Sequence, residues 1–216
     1  MTTRRPPAAA GVTDPALDGL ARAYGLDAAA AARAVTAAYD AADAEPWTDP
    51  GAAARRTLLG RLRSAGDTVM PALGDPERLA AGPTPGSGDI EGWADLWAEL
   101  PAGERAVFTG ALLDGLDLTG LARALGTHRL EIKARARRVL SRLAGEAATG
   151  SGLAAVRHMT AGEYALGIMP PDAAAPYQRG LALDPDLQAL VARWDALLAP
   201  FWTAPGGTTA APPARP

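Results

Sequence analysis

Apolar residues recur along this chain at spacings of three and four, as in helices that bury one face. Leu17, Leu20, Ala21 and Tyr24 keep that spacing, and Ala31, Val35 and Tyr39 resume it. Gly25 separates the two sets, and Asp27 is placed to cap the second helix. Trp47-Thr48-Asp49-Pro50 reads as a turn, and 52–64 as a short basic helix. Pro101 falls in the first turn of a further helix. Its inward face is Val107, Ala111 and Leu112, with Phe108 and Leu116 beside them, and Gly115 ends it. Leu118, Leu121, Ala122 and Leu125 mark the next helix, and Gly126-Thr127-His128 is a turn. A third helix begins near Arg129, with Ile132, Ala136, Val139 and Leu143 as its stripe and Leu140 beside it.

The last third repeats the pattern in shorter pieces. Glu163, Tyr164 and Leu166 lie on a helix that ends at Gly167. Pro170-Pro171-Asp172 starts another, carrying Tyr177 and Leu181. Asp184-Pro185 caps a third, with Leu187, Leu190, Val191, Trp194, Leu197 and Leu198. Three such helices make a small core, so their apolar faces are expected to dock on another part of the chain or on a partner. Proline and glycine between 81 and 89, and GEAATGSG at 145–152, read as linkers. The ends, 1–11 and 203–216, read as tails, the second disordered. The expected organisation is three helical segments, 12–80, 90–146 and 153–202, in an all-α chain. The middle segment carries a helix-turn-helix and the last is a small helical module.

Composition narrows the chemistry. The chain has 216 residues, 48% of them hydrophobic, and β-branched runs are nearly absent. Cysteine is absent, which excludes disulfides, thiolate metal sites and a cysteine nucleophile. No apolar run approaches the roughly 18 residues of a membrane span, and the N-terminus lacks a signal-peptide core, so a cytoplasmic location is expected and no membrane contact. His128 and His158 have no ligand or catalytic partner at a recognisable spacing, and no phosphate loop is present. No enzyme activity, cofactor or metal is expected.

Charge adds the main clue. Arg123, Arg129, Lys133, Arg135, Arg137, Arg138 and Arg142 share one stretch with a single acid, Glu131, in a chain of net charge −3. A local reversal of sign on a helix-turn-helix pattern is a footprint for a polyanion, DNA first. Arg135, Arg138 and Arg142 lie on a different arc of the helix from Lys133 and Arg137.

The stretch LPAGERAVFTGALLDGLDLTGLARALGTHRLEIKARARRVLSRLAGE resembles region 4 of bacterial extracytoplasmic-function sigma factors. The likeness runs from the opening Leu-Pro through Glu104-Arg105-Ala106-Val107, Gly115-Leu116, Leu121-Ala122 and Ala124-Leu125-Gly126. It continues in Ile132-Lys133-x-Arg135 and Arg138. In that family the last helix reads the promoter's −35 element. The resemblance thus implies Arg129, Lys133, Arg135, Arg137 and Arg138 as DNA contacts. Leu130-Glu131 stands where the family carries Gly-Thr; the carboxylate there repels phosphate, and Leu130 is expected to face inward.

Residues 20–64 resemble region 2 of the same family in a degenerate form, with alanine at most of its acidic and aromatic positions. The last segment is similar to the N-terminal domain of RskA-like anti-sigma factors, which lack zinc. Glu163-Tyr164-x-Leu166-Gly167, Leu183-Asp184-Pro185-x-Leu187, Trp194, Leu197 and Leu198 carry that likeness. It implies that Tyr164, Leu166, Leu187, Trp194, Leu197 and Leu198 bind a sigma factor or occlude its polymerase surface. Together the resemblances imply a transcription regulator of sigma/anti-sigma type, acting without chemistry on promoter DNA, on a sigma factor or RNA polymerase, or by docking 153–202 on 90–146. The alternatives are an anti-sigma factor or sigma decoy whose helix-turn-helix does not touch DNA, and a diverged self-sufficient sigma factor.

Overall fold

A computed structural model describes residues 14–42, 47–64, 92–145 and 152–202. The expected linker at 81–89, the expected tails 1–11 and 203–216, and 146–151 of the second expected linker lie outside them. Among the described residues there are ten helices and no strand, so the fold is all-α. They are α1 (Pro15–Ala23), α2 (Ala28–Ala42), α3 (Pro50–Ser64), α4 (Trp93–Glu99) and α5 (Ala102–Leu112). Then follow α6 (Leu118–Ala124), α7 (Arg129–Ala144), α8 (Leu153–Ala165), α9 (Pro171–Leu181) and α10 (Pro185–Trp202).

Aspartates fix several helix starts. Asp14, Asp27, Asp49, Asp117 and Asp184 each accept a hydrogen bond from a first-turn amide of α1, α2, α3, α6 or α10. Each such cap contributes about 1 kcal/mol. One expected start differs: Pro101 is the N-cap of α5, one position before its first turn.

Two cores result. Helices α1–α3 pack together through Leu17, Leu20, Tyr24, Val35, Leu58 and Leu59, with alanines filling the rest. The second core is shared by the middle and last segments. Its anchor is aromatic: Trp93 of α4 and Phe108 of α5 meet Phe201 of α10, with centroids 4.4 and 5.5 Å from the Phe201 ring. The stripe Ile132, Ala136, Val139 and Leu140 of α7 is buried in this core, with Leu143 packed against it. Helix α8 runs antiparallel to α7, since Arg137 meets Glu163 and Ser141 meets Met159. It also packs on α10. The backbone amide of Leu118, at the start of α6, donates to the Ile168 carbonyl at 2.9 Å.

The N-terminal bundle joins this second body through polar groups. Arg55 is 2% exposed, and its Nη2 donates to the carbonyls of Ala111 and Leu112, both at 2.7 Å. It caps the negative end of α5. Burial, then the nearby Arg63 charge, lowers the Arg55 pKa to about 9, so it remains a cation at neutral pH. Tyr24 and Arg63 both donate to the Gly115 carbonyl. Gly115 has φ +62°, and a Cβ there would lie 2.4 Å from Leu59 Cδ2, so both conformation and space require glycine.

Candidate nucleic-acid interface

Helices α6 and α7 follow one another across a short turn, where Gly126 has φ +60°. The five cations singled out by resemblance all lie on α7, but they face different things. Lys133 and Arg137, four residues apart, both point at Glu163 of α8, with N–O distances of 3.3 and 2.5 Å. Glu163 is 3% exposed, whereas the Lys133 and Arg137 side chains keep 37% and 40% exposure. On the other arc, Arg138 pairs with the buried Glu104 of α5 at 2.5 Å. Arg135 pairs with Glu131, one turn back, at 2.9 Å. Arg135 also lies over the start of α5, where a Cβ on Gly103 would meet its Nη1 at 2.7 Å.

Four of the five cations are thus engaged by three carboxylates, two of which are buried. A buried carboxylate stripped of its cation is costly, of order 3–5 kcal/mol, less where the cation is half in water as here. Glu163 and Glu104 therefore hold the α7 cations against competing anions more firmly than surface partners do. Arg129 is exposed and has no ion pair among the described residues. Leu130 does not face inward: it is 82% exposed at the first turn of α7. The α7 stripe starts at Ile132, and a residue two positions earlier falls on the opposite side of a helix. Glu131 acts mainly as an intrahelical partner of Arg135.

The residues assigned to partner binding sit elsewhere. Tyr164, Leu166, Trp194 and Leu198 are buried in the shared core, and Leu187 and Leu197 pack against it. The Trp194 indole N–H donates to the His158 carbonyl at 2.9 Å. These side chains are covered by the chain itself, so an outside partner would have to displace them. The large apolar residues exposed on this module are Leu153, Val156 and Leu183, around an Arg157–Asp184 ion pair of 2.6 Å.

Sequence reasoning passed over the acidic half of the site. Glu163 entered only as part of a motif, and Glu104 likewise. It also passed over the α3–α10 contact. Arg56 donates to Asp195 at 2.6 Å and to Thr48 at 3.1 Å, and Thr48 donates to the other Asp195 oxygen. Asp195 is fully buried, and burial raises its pKa despite the neighbouring Arg56. One signal was available for Asp195: it lies four residues from Val191 and three from Leu198, inside an apolar stripe, where a solvated acid has no place.

Among the described residues no helix is long and apolar enough to cross a membrane. No protein-family model matches the chain, and no curated protein or solved structure matches it.

Proposed function

We propose that the protein is a transcription regulator of sigma/anti-sigma type. Its basic helix α7 binds anionic DNA, and its last module competes for the same cations. The observation that carries this reading is Glu163, a buried carboxylate shared by Lys133 and Arg137. A carboxylate in that place occupies cations that a phosphate would otherwise take. Binding is reversible association with no bond made or broken. The resemblance of 100–146 to sigma region 4, and of 153–202 to an anti-sigma module, supports the same division of labour.

The test is a low-salt titration of labelled duplex DNA with the whole protein and with E163Q. Glu163→Gln removes the competing charge and keeps the size. The variant should bind several-fold tighter, with a steeper salt dependence, because each cation freed for phosphate adds about 0.9 to the log–log slope. Absence of binding by both proteins at low salt would remove DNA from the reading.

A second reading has its own support, since four of the five α7 cations are already occupied. In it the helix-turn-helix is scaffold, and the protein captures a sigma factor or polymerase. That capture survives R135A and R138A. Trp194 lies in the core, so its removal reports on folding; L183S, at a residue 86% exposed, is the sharper probe of contact.

A further inference from the structure

Three contacts run in series through the molecule. Thr48 and Arg56 of the N-terminal bundle grip Asp195 of α10. Trp194, the next residue back, packs on α8 so closely that a Cβ on Gly162 would lie 2.9 Å from its ring. Glu163 follows Gly162 and holds Lys133 and Arg137 of α7. The Arg56 guanidinium also lies 5.2 Å from the ring centroid of Tyr164, the residue after Glu163. Helix α8 is therefore gripped from one side by α3 and α10 while it grips α7 on the other. Small shifts at α10 carry to Glu163, because the Trp194–Gly162 approach has no slack to absorb them.

We infer that the Arg56–Asp195–Thr48 latch positions Glu163, so that the N-terminal bundle sets how many α7 cations can meet a polyanion. The latch matters on the reading of α7 as a polyanion-binding helix. Arg56 and Asp195 are positioning residues: neither lies on α7 nor bonds any of the five α7 cations. Both are buried, with the Arg56 side chain 7% exposed and that of Asp195 0%. Taking the charge off Asp195 leaves a buried guanidinium without that carboxylate, and separation of α3 from α10 relieves the strain by letting water in. Loosening α10 releases α8, and Glu163 then leaves Lys133 and Arg137.

The experiment measures binding of a labelled 20-base-pair duplex to full-length wild type, D195N, T48V and E163Q across a salt series. Helix content by circular dichroism is followed in parallel. D195N should steepen the log–log salt slope by about 1.8, two cations at about 0.9 each, matching E163Q. T48V, which removes the hydrogen bonds of Thr48 to Asp195 and from Arg56 and keeps the ion pair, should fall between wild type and D195N, and it carries the test if D195N fails to fold. Loss of packing alone cannot give a slope that rises by the number of cations Glu163 holds. A steeper slope for E163Q with a wild-type slope for D195N and T48V would overturn the latch and leave the DNA reading standing. No binding by any of the four proteins would overturn both.

Discussion

Helices α3 and α7 look alike in sequence, as RRTLLGRLR and KARARR, and use their charge in opposite ways. On α3, Arg55 and Arg56 point into the molecule, where they hold the carbonyls closing α5 and the carboxylate of Asp195. On α7, Lys133, Arg137 and Arg138 remain partly in water, and their partner carboxylates are the buried members. The difference is one of which charge is desolvated. On α3 Arg55 and Arg56 are desolvated, so they act as structural caps and pins, while Arg61 of the same helix is exposed. On α7 the cations keep water on one side and can exchange one anion for another, as a regulated polyanion site requires. A run of arginines therefore does not by itself identify a binding surface; the burial of the cations separates pinned charges from exchangeable ones.

The strongest way to break this contrast is to truncate one cation from each helix. Arg55→Ala strands the Ala111 and Leu112 carbonyls inside the protein and leaves a void, at a cost of about 3–5 kcal/mol. Arg138→Ala removes a half-exposed cation, and its loss should cost about 1 kcal/mol, because water can enter beside Glu104. Urea unfolding followed by tryptophan fluorescence separates the two. Equal losses from R55A and R138A would erase the distinction between pinning and exchangeable cations.

How much of this was legible beforehand follows from the range of the contacts. The α7 stripe, the glycine turn at Gly126 and the capping roles of Asp27 and Asp184 are local, set within a turn or two, and sequence periodicity reads them well. The all-α class follows from the same pattern. Docking of 153–202 on 90–146 is one of the expected arrangements, but which residues meet in the shared core was not legible, because periodicity shows that a face is apolar and not what covers it. Trp93 and Phe201 meet across half the length of the chain. Leu130 was misread because apolarity was taken as inwardness, against the phase set by Ile132 and Ala136. The carboxylates were missed for a related reason. Attention to a basic run favours the cations, while the burial that decides their behaviour belongs to Glu163, Glu104 and Asp195, on other helices.

The smallest effect concerns a group that can become a cation in the wrong place. His158 of α8 lies against Trp194, with ring centroids 5.0 Å apart, beside a cleft of about 270 Å³ that also meets Arg193, Ala144, Ala196 and Leu197. Its Nε2 has no hydrogen-bond partner among the described residues. Burial, and then the Arg193 charge, hold its pKa below the ordinary 6.5. The nearest acid along α10, Asp195, is engaged by Arg56 and Thr48 and does not offset the new charge. The unfolded chain therefore takes up this proton more readily than the folded one. Stability is fully present above about pH 6.5 and declines as the pH falls below it, until the folded histidine also titrates. H158Q, which cannot titrate, should flatten that part of the decline. Its difference from wild type between pH 7.5 and pH 5.5 should be smaller than the R138A effect. Urea midpoints at the two pH values measure it. An unchanged slope would mean that His158 is hydrated in solution, and that the middle of α8 joins α7 on the side of the contrast where charge stays in contact with water.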